Sequence, residues 1–476
     1  MTDSRQDRSV SRRRTRGWSM TAAAALAACA VLVTGGCGAG PEGAETARFE
    51  VPVEYHTLEN GLKVVLSPDR STPLVIVAVY YNIGFRIEPR DRTGFAHLFE
   101  HMMFQGSENL GKMAHIRLVQ FNGGVLNGST RFDFTNYFEI MPANVLEKTL
   151  WAEADRMRGL AVTQENLTNQ QGVVTNEVKN AVLNQPYGGF PWLDLPQLAN
   201  SNWYNAHNFY GDLEDLEAAT LDDVLAFFDT YYAPNNAVVV LTGDFEPTEA
   251  LQMVEKHFGD IEPAELPDLP DLTEAQQEEE KRHSKIDKLA NRPALAFAYH
   301  MPERNTPEHF AMGLLDQILV TGEDSLLYQA LVKDAGFTDD VSGGINYALG
   351  NQFNYNGPML WMAELYHDTT NTSEEIMAAV DSAITRLQTE PIDQASLDRA
   401  KVKMRSSLYD IHGGLYGFGR ADLLASFALF DDNPALINEI EKNFQAVTPE
   451  LIQKTAVTYL RPENRTVLAI EPGAGS

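Results

Sequence analysis

The residues best placed to do chemistry are five in a row, His97-Leu98-Phe99-Glu100-His101. On a helix, His97 and His101 sit one turn apart on the same face, so both imidazoles can reach one ion. Glu100 lies three residues from His97 on that face, close to the ion but free to work on a water. A separate carboxylate, Glu177, lies 76 positions after His101. Two neutral imidazoles and a carboxylate leave a fourth coordination position open, which a catalytic zinc needs and a structural zinc lacks. The motif is the H-E-x-x-H zinc-peptidase helix in reverse order, with Glu100 cast as general base. The plain alternative is a surface helix that happens to carry two histidines.

These groups need elements to hold them. The pattern predicts a metal helix over Gly94–Phe104 with Thr93 as N-cap. A second helix is expected from Thr163 to about Leu183, with Leu167, Val174, Val178 and Val182 on its apolar side. Tyr55–Leu66 reads as a hairpin turning at Asn60-Gly61, and Leu74–Ile83 as a strongly β-prone strand. Antiparallel strands mixed with packed helices make an α+β arrangement.

The same kind of unit occurs twice. Thr220, Asp222, Val224, Tyr231, Pro234, Asn236 and Val239-Val240-Leu241 recur, 228 residues later and without a gap, as Thr448, Glu450, Ile452, Tyr459, Pro462, Asn464 and Val467-Leu468-Ala469. Each copy reads as a capped helix, a Pro-Asn turn and a buried strand, and the run is best explained by a duplicated domain. Between the copies, Pro263, Pro267, Pro270 and the Gln276–Lys281 run show no apolar periodicity and read as a linker. The expected organisation is a leader over 1–36, a tether over 37–47, a zinc-bearing domain over 48–262, a linker over 263–284 and a homologous non-metal domain over 285–474. A chain of 476 residues, 44 % hydrophobic and 22 % charged, has room for such cores.

The leader carries Arg5, Arg8, Arg12, Arg13, Arg14 and Arg16 ahead of an apolar run from Met20 to Val33, the layout of a secretory signal peptide. It ends Val33-Thr34-Gly35-Gly36-Cys37, similar to a bacterial lipobox, so Cys37 is the expected lipidation site. The expected destination is the cell envelope, with a lipid anchor. No later stretch approaches 18 continuous apolar residues, so nothing else is expected to span a membrane. Of the two cysteines, Cys29 lies in the leader, so the mature domains have no disulfide or cysteine metal site. A net charge of −29, more negative still once the leader arginines are gone, argues against nucleic acid and anionic membrane faces as partners.

His97–His101, flanked by Thr93-Gly94-Phe95-Ala96 and Met102-Met103-Phe104-Gln105-Gly106, resembles the pitrilysin/insulinase family of zinc metallopeptidases. The two-domain branch that includes the mitochondrial processing peptidases is the nearest pattern. Gly172-Val173-Val174-Thr175-Asn176-Glu177 resembles the family segment that carries the third ligand. Asn122–Thr130 resembles its substrate-binding edge strand. The resemblance implies a clamshell of two α+β domains, one Zn2+ held by His97, His101 and Glu177, and Glu100 as base. It also implies that peptide or unfolded protein is bound along Asn127, Gly128, Ser129 and Thr130. The run Gly128–Phe134 alternates poorly as a core strand and suits an exposed edge, which can take a peptide as an added strand. His207, in a loop rich in Asn and Tyr, reads as structural or substrate-facing.

Two departures from the family pattern matter. Gln170 stands where active relatives carry a glutamate beside the ligands, so tuning of the site is weaker in charge. In the second half, Val332 and Asp339 occupy the places of an arginine and a tyrosine that polarise the substrate carbonyl, and there is no second H-x-x-E-H. The resemblance therefore implies a heteromer in which a homologous second subunit supplies the Arg/Tyr pair. Substitution by Lys333 or Tyr328 is the alternative. A catalytically weak peptide-binding or assembly subunit of the same fold is the rival function.

Overall fold

The computed structural model describes residues 50–473; the expected signal peptide, with Cys29, and the expected lipidation site Cys37 lie outside the described residues. Strands β1 (Glu54–Thr57), β2 (Lys63–Pro68), β3 (Leu74–Tyr81), β4 (Val125–Thr130), β5 (Thr135–Pro142) and β6 (Ala237–Gly243) form one sheet in the order β1-β2-β6-β3-β5-β4. Strands β7 (Lys281–Asp287), β8 (Ala294–His300), β9 (Ser342–Ile345), β10 (Leu360–Tyr366) and β11 (Arg465–Pro472) form the other, β7-β11-β8-β10-β9. Each sheet has one parallel pair, β2 with β6 and β7 with β11, and its remaining neighbours are antiparallel. The duplication is thus real in topology, with β1 added to the first copy. It is real in detail too. Thr220 and Thr448 both cap helices, Leu221–Tyr231 and Pro449–Tyr459, and Asn236 and Asn464 both donate to the tyrosine carbonyl at the helix end, at 2.9 and 2.8 Å.

β3 shows how the first sheet is used. Val75, Val77, Val79 and Tyr81 face a core shared with the helices α1 (Phe95–Met102), α2 (Ala114–Phe121), α3 (Leu146–Arg158) and α4 (Gln164–Val178). Ile76, Ala78 and Tyr80 face a second core built mainly from the other half of the chain. A strand covered on both sides reads as a continuous apolar run, which is why Leu74–Ile83 carries no polar alternation. The cover comes from the helix Gln394–Asp431, broken at Gly414–Gly417. Beyond the break Phe418 stacks on Phe138 (3.8 Å) and Asp422 accepts from the Tyr80 hydroxyl (2.8 Å). In return, α5 (Asp194–Ala199) crosses onto the second sheet, where Leu195 and Ala199 pack on Ala294, Ala296, Ala298, Leu468 and Ile470. The repeat spacing of 228 carries Asp194–Ala199 onto residues 422–427, so each copy lends the equivalent helix to its sibling's sheet. Arg86 fastens the exchange: fully buried, it pairs with Asp133 at 2.9 Å and donates to the Pro358 carbonyl of the second half at 2.7 Å.

Several expectations are corrected. The metal helix is shorter than Gly94–Phe104, and its N-cap is Gly94 in the left-handed conformation rather than Thr93. Thr93 instead donates from its hydroxyl to Asp215 at 2.6 Å. Gly94 is required there, since a Cβ would strike the Tyr210 carbonyl oxygen at 2.4 Å. The second helix ends its α-form at Val178 and continues as a wider π turn, Lys179–Leu183. The linker's last residues belong to β7, and its middle is pinned rather than loose: Glu274 accepts from Ser201 and Asn205 at 2.6 and 3.0 Å. Phe132 and Phe134, read as part of an exposed edge, turn inward after Thr130 into the core shared by the two halves. Among the described residues no helix is long and apolar enough to cross a membrane.

Candidate active site

α1 is only eight residues long and carries three of the candidate groups. Its N-terminus is held by a residue the sequence did not single out. Glu88, fully buried, accepts from the backbone N–H of Gly94 (2.9 Å) and of Ala96 (2.5 Å), where a helix start is electropositive and has unpaired donors. Burial pushes the Glu88 carboxyl up, against the pull of His207 and these two N–H groups. His207 lies 3.6 Å from Glu88, contacts the Phe85 carbonyl and stacks on Trp203 at 4.4 Å. It serves this support structurally and does not join the cluster around His97.

Glu177, on α4, meets both histidines. His97 Nε2 lies 3.6 Å from Glu177 Oε1, and His101 Nε2 lies 3.3 Å from Oε2. Four ligands bonded to a tetrahedral zinc at about 2.0–2.2 Å stand about 3.3–3.6 Å from one another; both His–carboxylate distances fall in that range, and one donor atom from each of the three residues lies within 4.8 Å of the other two. The side chain of His97 is 4 % exposed, that of His101 21 % and that of Glu177 36 %, so the cluster opens on the side of the carboxylate. Burial, then the neighbouring His101, pulls His97 down to about 4, leaving a neutral imidazole at physiological pH. Burial also pulls His101 down, but the hydrogen bond and charge of Glu177 outweigh it and raise it. The hydrogen bond from His101 holds Glu177 low despite burial. Gln170, buried two turns before Glu177, interacts with His101, where the resemblance puts it.

Glu100 stands beside this cluster, outside the His–Glu contacts. Its Oε2 accepts from the Thr130 hydroxyl at 2.8 Å, and burial raises its pKa, as suits a group that takes and returns a proton. Gly128 lies against it, with a Cβ there coming within 3.3 Å of Glu100 Cγ. Both neighbours belong to β4, the sheet's edge. Arg131 N donates to Phe134 O (2.8 Å) across the β4–β5 hairpin. With Thr130 opposite Thr135, alternation makes Val125, Asn127 and Ser129 the positions bonded to β5. The N–H and C=O groups of Leu126, Gly128 and Thr130 therefore face the open edge. Asn127 and Ser129 present side chains to the opposite face from Glu100, and Ser129 is spent on Asn136.

Val332 and Asp339 do not come to this cluster by any contact. Val332 lies in the π turn Tyr328–Asp334, and Asp339 is 98 % exposed, 3.9 Å from Arg292. Lys333 sits over the Tyr328 ring and pairs with Glu323 at 3.7 Å. The sequence reading also missed Tyr210, whose hydroxyl donates to Glu177 Oε1 at 3.2 Å. No spacing rule links it to Glu177; its only signal was the company of His207. A second buried cluster, His115, Glu139 and Glu153, has ligand-like spacing too. Its cation is already present: Arg156 pairs with Glu153 and reaches Glu139 at 3.5 Å.

The chain matches the family description "Insulinase (Peptidase family M16)" over residues 63–187 and "Peptidase M16 inactive domain" over residues 218–404. It belongs to the pitrilysin/insulinase family. Among curated relatives, the "Zinc protease PqqE" of Helicobacter pylori is 24 % identical over 425 residues, 88 % of this chain and 93 % of that protein. The "Mitochondrial-processing peptidase subunit beta" of Rattus norvegicus is 25 % identical over 215 residues, covering 45 % of this chain and 43 % of its own length. The crystal structure of a protease from Helicobacter pylori superposes with a TM-score of 0.81 at 23 % identity, covering 89 % of this chain and all of that one. The periplasmic protease PqqL from Escherichia coli gives 0.70 at 16 % identity, covering 89 % of this chain and 48 % of that one. The α+β architecture in two copies is that of these neighbours. The first family match spans α1, α4 and β4; the second, whose description says inactive, runs from the last helices and strand of the first copy into the copy without H-x-x-E-H and ends at residue 404.

Proposed function

We propose that this family member is a zinc-dependent endopeptidase that cleaves unfolded peptides or protein segments. The observation that carries it is Glu100, a buried carboxylate held by Thr130 beside a three-ligand cluster and facing an edge strand with unused backbone groups. His97, His101 and Glu177 would hold the zinc. When bound, the ion supplies Lewis acidity that acidifies a water and polarises a carbonyl. The chain's own residues do the rest. An extended substrate pairs with the backbone of Leu126, Gly128 and Thr130, which grips it largely without regard to sequence. That pairing sets a peptide bond over Glu100, which takes the proton of the attacking water and returns it to the leaving amine. Glycine at 128 keeps the strand's backbone close to this carboxylate.

The missing second-half donors support a finer reading: the chain is the zinc-bearing half of a heteromer, and a homologous partner carries the Arg/Tyr pair. Losing such donors costs on the order of 100- to 1000-fold in rate. Turnover of a quenched unfolded peptide by the purified, zinc-loaded chain tests both claims. No cleavage with or without homologous partners would leave the rival, a peptide-binding or assembly subunit. Full activity at high dilution, alone, would end the heteromer. The leader and Cys37 support an exported, lipid-anchored protein of the cell envelope. Cys37→Ser is then expected to move the protein from the membrane to the soluble envelope fraction or to block its maturation. A processed Cys37→Ser form that stays membrane-bound after a salt wash would exclude the lipid anchor.

A further inference from the structure

We propose that Tyr210 is the positioning residue of the ion site, setting the distance between the carboxylate of α4 and the imidazoles of α1. The inference rests on the reading of His97, His101 and Glu177 as ligands. Tyr210 touches both sides of the cluster. Its hydroxyl donates to Glu177 Oε1 at 3.2 Å, the oxygen that also faces His97. Its ring meets the His97 ring edge-on, with centroids 5.2 Å apart. Its backbone lies against Gly94, the first residue before α1, so closely that no Cβ fits at Gly94 or at Gly211. Three further contacts fix the loop: Tyr210 N donates to Asn208 Oδ1 (2.9 Å), Asp212 N donates to the Thr93 hydroxyl (2.8 Å), and Trp192 packs on the Tyr210 ring. Tyr210 is 6 % exposed, so the ring that carries the hydroxyl is held in place by its surroundings.

The physical need is plain. Glu177 sits near the end of an α-form that gives way to a π turn two residues later, on the most exposed side of the cluster. A carboxylate there has several rotamers, and each ligand rotamer lost on binding costs affinity. A hydrogen bond to Oε1 selects the one that faces both histidines. Partners of this kind are typically worth about 10- to 100-fold in metal affinity. Gln170 supports His101 and leaves the carboxylate to Tyr210, so the two ligands nearest solvent each have one neutral partner.

The test is Tyr210→Phe, which keeps the ring, its packing and the backbone contact with Gly94. Zinc affinity, measured by competition with a chromogenic chelator, is expected to fall about 10- to 100-fold, while the metal-free unfolding midpoint stays at the wild-type value. Peptide cleavage at limiting zinc is expected to fall in parallel and to return when zinc is raised, with KM unchanged. Unchanged zinc affinity overturns the proposal. So does unchanged affinity with a large loss of kcat at saturating zinc, which would place the phenol on the reacting carbonyl instead. A wild-type chain that binds zinc without cleaving, with or without a homologous partner, sinks the peptidase reading, and the affinity comparison still decides Tyr210. A wild-type chain that binds no zinc overturns both.

Discussion

The two copies in this chain share a sheet order and differ in the helix that succeeds the same strand. After β3 comes α1, with two histidines and a glutamate turned towards an open edge strand. After β8, the equivalent strand, comes the helix Pro307–Leu319. Its one histidine, His309, is fully buried and spent on Gln352 O (3.2 Å) and the Tyr355 hydroxyl (3.1 Å). Burial holds it down to about 3, a neutral packing group. The second helix also has a carboxylate, Asp316, which accepts from the Trp361 indole at 2.8 Å and is pushed up to about 7 by burial. In the first copy the helix acid meets a small hydroxyl on the edge strand; in the second it meets a bulky indole on the neighbouring strand. One scaffold thus supports an open candidate site and a closed core, and the choice rests on a few side chains. The copies also need each other, because α5 and the helix Gln394–Asp431 are exchanged between their sheets.

Four experiments put this contrast at risk. Glu100→Gln keeps all three candidate ligands and removes only the base; zinc content is expected to stay at wild type while kcat falls about 10²- to 10⁴-fold. Wild-type cleavage by that variant would remove Glu100 from the mechanism. Arg86→Leu leaves the buried Asp133 carboxylate without its ion-pair partner at the seam between copies, with only the backbone N–H groups of Asn356 and Gly357 donating to it, and a cost of about 3–5 kcal/mol in denaturant unfolding is expected. An unchanged midpoint would show that the exchanged helices alone hold the halves together. Acid is expected to release zinc through His101. Its pKa is raised in the metal-free protein, so protons compete from the neutral region downward, and apparent zinc affinity falls about tenfold per pH unit once His101 is protonated. Affinity flat between pH 7 and 5 would exclude His101 as a ligand. The smallest effect falls on the second copy. His309→Phe removes hydrogen bonds to Gln352 and Tyr355 at a cost of about 1–3 kcal/mol in stability, with kcat and zinc affinity unmoved. A kcat loss there would mean the two helices are not as separate in role as their surroundings indicate.

The candidate helix and the two-copy plan were legible in the sequence. Helical spacing brought His97, Glu100 and His101 to one face because 3.6 residues make a turn, whatever surrounds the helix. The repeat at 228 residues foretold two copies, and the Asn60-Gly61 turn and the apolar run of β3 were readable because their signals are local. Apart from Glu177, which the resemblance brought to the two histidines, what depends on residues distant in the chain was left to tertiary packing. Thr93 has the right chemistry for a cap, but Asp215 claims its hydroxyl, and a carboxylate packed from Glu88 does the capping instead. Phe132 and Phe134 look like an edge until the second half supplies a core for them. Tyr210 carries no motif, because its value lies in touching α1 and α4 together. The exchange of helices between sheets is equally silent in sequence, since an apolar face records only that it will be buried and not which surface will cover it.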